Sequence, residues 1–178
     1  MAILTGHEIK MQQQVGGLYI EDFSEERLNP NSYNLRLAPE LLVYTEAVLD
    51  PKQNNRTREI IIPEDGYVLK PGRLYLARTM EWTESRDFVP KLEGRSSIGR
   101  LGLAIHVTAG FGDVGFAGNW TLELECVQPV KIYPGMEICQ ISYHTVSGEV
   151  MDRYHGKYQG STDVVASRIF QDFEKEAE

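Results

Sequence analysis

From Ser32 onward the chain breaks into short segments rich in β-branched and aromatic residues, separated by turn signals. That spacing leaves room for strands but little for long helices. The candidate strands are Tyr33–Leu37, Leu41–Tyr44, Glu59–Ile62, Arg73–Thr79, Leu103–Thr108, Trp120–Val127 and Glu137–Thr145. Between them stand Asn29-Pro30-Asn31, Glu64-Asp65-Gly66, Pro71-Gly72 and Pro134-Gly135, residues that turn a backbone. The pattern predicts an all-β sandwich, barrel or jelly roll. One short helix is expected before it, over Thr5–Gln14, where Thr5 and Glu8 have capping-box spacing. Another is expected at the end, over Ser167–Glu178, with Ile169, Phe170 and Phe173 on one face. The polar stretch Arg153–Ser161, rich in Gly and Tyr, reads as an arm or a loop.

No repeat or linker divides the 178 residues, so a single domain over 1–178 is expected. The formal net charge of -8 argues against broad contact with a DNA or RNA backbone. It leaves a single nucleotide open as a ligand, because a few arginines can hold one triphosphate. No apolar run reaches the roughly 18 residues a membrane span needs. The N-terminus MAILTGHEIK also lacks the basic start and apolar stretch of a secretory signal, and a cytoplasmic location is expected. Cys126 and Cys139 sit inside apolar stretches as buried thiols.

Polar chemistry concentrates in a glycine-rich window, since seven of the 16 glycines fall between Gly94 and Gly118. It opens with Glu93-Gly94-Arg95-Ser96-Ser97-Ile98-Gly99-Arg100, where a strand ending near Leu92 is expected to give way to a helical turn. Serines at the start of such a turn can cap it, and its free N–H groups can face an anion bracketed by Arg95 and Arg100. A capped turn with surface arginines is the competing reading. In the run Val107 to Gly118, the glycine density points to backbone that turns sharply or approaches a ligand closely. Asp113 sits there without a cation beside it in sequence.

The next segment alternates. Trp120, Leu122, Leu124 and Cys126 fall on one face of a strand, and Thr121, Glu123 and Glu125 on the other. A solvated face is the ordinary meaning of such alternation. A carboxylate in a cleft with apolar walls instead has its pKa moved toward neutrality and serves in proton transfer.

Four runs occur in order and spacing that resemble the dCTP deaminase branch of the dUTPase-like superfamily: G-R-S-S-I-G-R-L-G-L from Gly94, H-V-T-A-G-F from His106, D-V-G-F-A-G from Asp113 and T-L-E-L from Thr121. Weaker echoes are Asn29 to Leu37, Pro134-Gly135-Met136 with Gln140, and Lys157-Tyr158 with Ala166-Ser167-Arg168. The resemblance implies a distorted jelly roll (the dUTPase-like β-clip) with a short N-terminal helix and a C-terminal arm over 153–178. It also implies a homotrimer with active sites between subunits. Mg²⁺ would be carried on the triphosphate without a protein cage, as that ion commonly is.

By the same resemblance, Glu123 is the general base and acid, taking a proton from water that attacks C4 of cytosine. Ser96 and Arg100 position that water. Arg95 and Ser97, with backbone groups of Ile98 and Gly99, match phosphate contacts, and Gln140 matches another. Thr121 and Leu122 offer backbone to the base, and Val107 and Thr108 belong to the same nucleotide-binding set. Tyr154, Lys157, Gln159 and Ser161 match the arm that closes over the nucleotide. The tail departs from the family pattern: the glutamine usually found four residues after the Lys of the Lys-Tyr pair is Ser161 here, and Gln159 lies two residues earlier. Zinc is not expected, because the His- or Cys-x-Glu and PCxxC elements of zinc deaminases do not occur. His106 is expected in a strand, for packing.

In this family some members stop at dUTP and others continue to dUMP and pyrophosphate. Thr108-Ala109-Gly110-Phe111 has the Gly-aromatic pair of the second type, with Asp113 as the residue that orients water at the α-phosphorus. The expected function is therefore conversion of dCTP to dUMP, with dTTP as an inhibitor. The alternatives are deamination alone, a plain dUTPase, or a non-catalytic nucleotide-binding module.

Overall fold

The alternation read around Glu123 is the organising feature of the fold. In the computed structural model, which describes residues 2–175, Trp120, Leu122, Leu124 and Cys126 are buried. Thr121 and Glu123 are half-exposed on the opposite face, and Glu125 is exposed.

The chain begins with α1 (Gly6–Val15), capped by Thr5, whose hydroxyl accepts the Glu8 N–H at 3.2 Å, and closed by Gly16 at φ 80°. The carboxylate of Glu8 turns to Gln12 instead of completing a capping box. There follow β1 (Leu18–Ile20), a 3₁₀ turn at Glu25–Arg27, β2 (Tyr33–Arg36), β3 (Glu40–Tyr44), β4 (Thr57–Ile61), β5 (Tyr67–Leu69), β6 (Tyr75–Ser85) and β7 (Phe88–Gly94). Then come α2 (Ser96–Gly99), β8 (Leu103–Ala104), β9 (Ala117–Cys126), β10 (Val130–Ile132), β11 (Glu137–Thr145) and α3 (Phe170–Lys175).

Six strands make the largest sheet, in the order β4-β3-β6-β9-β8 with β1 also paired to β6. The smaller sheets are β2-β11-β7 and β10-β5. Each of these pairings is antiparallel. One apolar core lies among the sheets, joining Trp120, Leu122 and Leu124 of β9 to Leu35, Ile141 and Tyr143. The expected all-β fold is what the chain forms.

Several expected boundaries move. The strand expected over Arg73–Thr79 runs instead from Tyr75 to Ser85. Glu81, which interrupts the apolar pattern, is buried and neutralised by Arg36, whose Nε lies 2.6 Å away. A buried carboxylate needs such a partner. The strand expected over Leu103–Thr108 stops at Ala104, which leaves His106 in a loop. The three-residue strands β1, β5 and β10 are too short to show a period in sequence. The tail helix covers only Phe170–Lys175 of the expected Ser167–Glu178, whose last three residues lie outside the described ones.

The register of β6 on β9 sets the site. Leu76 pairs with Glu123, Ala77 with Leu122 and Arg78 with Thr121, after which the ladder breaks until Trp82. Asn119 fills that break: its Nδ2 donates to the carbonyls of Thr79 and Met80 at 3.1 Å each. The Thr79 hydroxyl accepts the Trp120 N–H at 3.0 Å. The irregularity thus leaves these buried polar groups paired and holds β9 in one register.

Candidate active site

Glu123 lies in a cleft of about 430 Å³, with Thr121, His106, Asp113, Phe116 and Trp120 among its walls. Two bonds fix Glu123 to the loop after β8, one from its backbone and one to its carboxylate. The Glu123 N–H donates to the Ile105 carbonyl at 2.9 Å, and the Val107 N–H donates to Oε2 at 3.2 Å. His106 Nδ1 stands 3.9 Å from the same oxygen, with its side chain 9% exposed against 29% for Glu123. The imidazole beside it, followed by the Val107 and Thr108 N–H groups, holds the Glu123 carboxyl below its ordinary value, outweighing partial burial. The shift toward neutrality that apolar walls alone would give is therefore reversed. Glu123 is ionised at neutral pH, the state a general base requires.

The apolar side of the cleft is aromatic. Phe116 packs on Trp120 with ring centroids 4.5 Å apart, and Tyr154 of the arm lies 5.9 Å from Phe116. Trp120 directs its indole N–H to the Thr83 hydroxyl at 2.8 Å, so the buried ring leaves no donor unpaired. Asp113 is exposed at this cleft.

A second depression, of about 440 Å³, is lined by Arg95, Ser96, Gly99, Val107 and Thr108, and shares His106 and Phe111 with the first. The serines do not cap α2, whose N-cap is Arg95 with no side-chain bond, because both serines lie inside the helical turn. The N–H groups of Ile98 and Gly99 already donate to the Arg95 carbonyl at 2.9 and 3.0 Å. The first amides of the turn, those of Ser96 and Ser97, donate no backbone hydrogen bond among the described residues. Arg95 pairs with Glu137 at 2.9 Å. Arg100 is exposed, with no side-chain bond or ion pair among the described residues. The side chains of Ile98 and Leu122 are buried, so only their backbone can meet a ligand.

Gln140, on β11, accepts from the Ser32 hydroxyl at 3.2 Å and stands outside both depressions. The arm folds back on its own chain. Tyr154, Tyr158 and Ser161 line the Glu123 cleft, and Val165 donates its N–H to the Thr121 hydroxyl at 3.2 Å. Lys157 is tied to Asp172, and Gln159 bonds to the backbone of Gly115 and Ala117.

The structure therefore brings Glu123, Thr121, Asp113, Tyr154 and Ser161 together, and keeps Arg95, Ser96, Gly99, Val107 and Thr108 in the adjoining depression. Sequence reasoning missed His106 as a partner of Glu123. Its signal was position, a lone polar residue where the apolar pattern of Leu103 to Ile105 gives way to glycines. It also missed Phe116 and Trp120 as a paired wall. Among the described residues no group of three or more His, Cys, Asp or Glu side chains could hold a metal ion. None of their helices is long and apolar enough to cross a membrane.

A family model described as dCTP deaminase-like matches residues 3–146. The chain is 58% identical over 172 residues to a protein of Hathewaya histolytica named dCTP deaminase, dUMP-forming, covering 97% of this chain and 99% of that one. It is 57% identical over 172 residues to a protein of the same name from Clostridium acetobutylicum, covering 96% and 98%. Among solved structures, the 2'-deoxycytidine 5'-triphosphate deaminase of Agrobacterium tumefaciens is similar in fold, with a TM-score of 0.64 at 23% identity over 81% of this chain. The present chain spans 48% of the length of that one.

Proposed function

The chain belongs to the dCTP deaminase-like family, and from that premise we propose that it is a dUMP-forming dCTP deaminase, a hydrolase yielding dUMP, ammonia and pyrophosphate. The observation that carries the reading is the pairing of carboxylates in one cleft. Glu123 is held ionised on the floor by His106 and the Val107 amide, and Asp113 is exposed at the same cleft.

Glu123 takes a proton from the water that adds to C4 of cytosine and returns it toward N3 and the departing ammonia. Thr121, Phe116 and Trp120 line the cleft, the two aromatic rings as its apolar wall; Thr121 and the Leu122 backbone would meet the base. Asp113 then orients and deprotonates a second water at the α-phosphorus. The first amides of α2, with Arg95 and Ser97, meet the phosphates.

Ser96 and Arg100 are exposed, and Arg100 has no counter-charge among the described residues. The site is accordingly completed across the subunit interface of a homotrimer, where Ser96 and Arg100 position the attacking water. Mg²⁺ would be brought on the triphosphate, where it would screen the phosphate charge. The exposed Asp113 carboxylate is the cleft group suited to meet the ion's hydration shell. The reaction acts on the free cytoplasmic deoxynucleotide pool, with dTTP as the expected inhibitor.

The test is incubation of the purified protein with dCTP and Mg²⁺, resolving nucleotides and pyrophosphate by chromatography beside Glu123→Gln. Ammonia, dUMP and pyrophosphate from the unaltered protein, with a loss of about 10²- to 10⁴-fold in the variant, is the expected result. Accumulation of dUTP without dUMP leaves a deaminase alone. Unchanged dCTP overturns the reading.

A further inference from the structure

We infer that Gln159 is a latch that ties the C-terminal arm to the segment carrying Asp113 and Phe116, and so keeps the nucleotide enclosed between the two hydrolytic steps. This role rests on the two-step reading above.

The bonding of Gln159 is that of a peptide group. Its Nε2 donates to the Gly115 carbonyl at 2.9 Å, and its Oε1 accepts the Ala117 N–H at 3.0 Å. Both polar ends of the amide are occupied, and the side chain lies outside the Glu123 cleft. A neighbouring backbone rung continues the seam on each side. Tyr154 N–H donates to Val114 O at 2.8 Å, Gly160 N–H to Ala117 O at 2.9 Å, and Asn119 N–H to Ser161 O at 2.8 Å. One edge of β9 is taken by β6, while β8 covers the other edge only at Glu125 and Cys126. Ile105 meets that edge at Glu123, and the arm closes the stretch from Ala117 to Asn119, as an added strand would.

The glycines of D-V-G-F-A-G make the seam possible. A Cβ on Gly115 would stand 2.6 Å from the Arg153 Cβ, and one on Gly118 would stand 3.1 Å from the Ser161 carbonyl oxygen. Only bare backbone lets the arm lie this close.

The seam matters because the same arm carries Tyr154, Tyr158 and Ser161 into the cleft. On this inference a nucleotide leaves the cleft as part of the arm lifts, and dUTP formed beside Glu123 is kept until Asp113 has acted. Gln159 is exposed, so its two bonds are of modest strength. That suits a fastening that opens once per turnover. Gln159 is a positioning residue, since it touches the protein alone.

The test uses the full-length protein and two variants, Gln159→Ala and Gln159→Glu. The second keeps the acceptor for Ala117 but faces the Gly115 carbonyl with another oxygen. Labelled dCTP with Mg²⁺ is turned over in excess unlabelled dUTP, and label is followed into free dUTP and dUMP. The unaltered protein passes most of its label to dUMP. Both variants release roughly five- to tenfold more labelled dUTP, the scale of losing one or two ordinary hydrogen bonds. They also show a higher KM for dCTP and faster hydrogen exchange at the Ala117 amide. The core variant Ile132→Val, which loosens packing away from the seam, leaves the partition of label where it was. Unchanged partition and unchanged Ala117 exchange in both Gln159 variants overturn the proposal. Should the unaltered protein itself release all label as dUTP, the two-step reading fails on its own. The latch is then decided by Ala117 exchange and KM, where equality with the unaltered protein overturns it and a rise in both supports it.

Discussion

His106 Nδ1 lies 3.9 Å from Glu123 Oε2, and neither ring nitrogen of this nearly buried histidine makes a hydrogen bond among the described residues. The separation is too long for a direct hydrogen bond and short enough for electrostatic contact.

Replacement of His106 by Ala removes the main influence that lowers the Glu123 pKa, while the burial opposing ionisation remains. The pKa rises. Because a carboxylate base works only when ionised, the acid limb of kcat/KM moves to higher pH, and that limb reports the free enzyme. A pH–rate profile checks this. An acid limb that stays in place would assign control of the carboxylate to the Val107 and Thr108 amides.

Asp113→Asn separates the two steps. The amide cannot take a proton from the second water, so dUMP formation falls by about 10²- to 10⁴-fold while ammonia release continues. The expected chromatogram shows dUTP in place of dUMP. Equal loss of ammonia and dUMP would mean that Asp113 serves nucleotide binding instead.

Gly110 has no room for a side chain where it stands. A Cβ there would come within 2.6 Å of the Leu92 carbonyl oxygen, and Leu92 N–H donates to Gly110 O at the same distance. Gly110→His forces the loop off β7, displacing Phe111 and Asp113, which follow closely in the chain. Turnover of added dUTP should fall roughly a hundredfold, the cost of moving a reacting group by about an ångström. Deamination by Glu123, held on β9, should fall much less. Equal losses in separate dCTP and dUTP assays would contradict this.

Glu81→Ala leaves Arg36 beside a buried site without its carboxylate, and also removes the acceptor of the Arg36 N–H at 2.9 Å. Breaking such a pair costs about 3 kcal/mol. Urea unfolding should show a lower midpoint with an unaltered slope.

Glu81 also shows where sequence stops being informative. Its carboxylate is indistinguishable in the chain from one on a solvated face, so the strand it belongs to reads as ending at Thr79 and in fact continues to Ser85. Pairing with Arg36, 45 positions away, decides the matter. Glu123 was legible because its neighbours keep a strict two-residue period, and the Thr5 cap because its partner lies within one helical turn. His106 and Gln159 were legible as residues but not in their partners. The first meets Glu123 through a loop, and the second meets Gly115 and Ala117 across more than 40 residues. The three-residue strands β5 and β10 exist because they pair with each other.

β9 puts the apolar core and the reacting carboxylate on opposite faces of one strand. Insertion or deletion of a single residue between Gly118 and Glu123 would exchange the faces, driving Glu123 into the core and Leu122 into the cleft. The strand behaves as a reading frame in which length is fixed and only the letters can change. In this chain β9 can therefore vary only by substitution, and any change of length has to fall outside it.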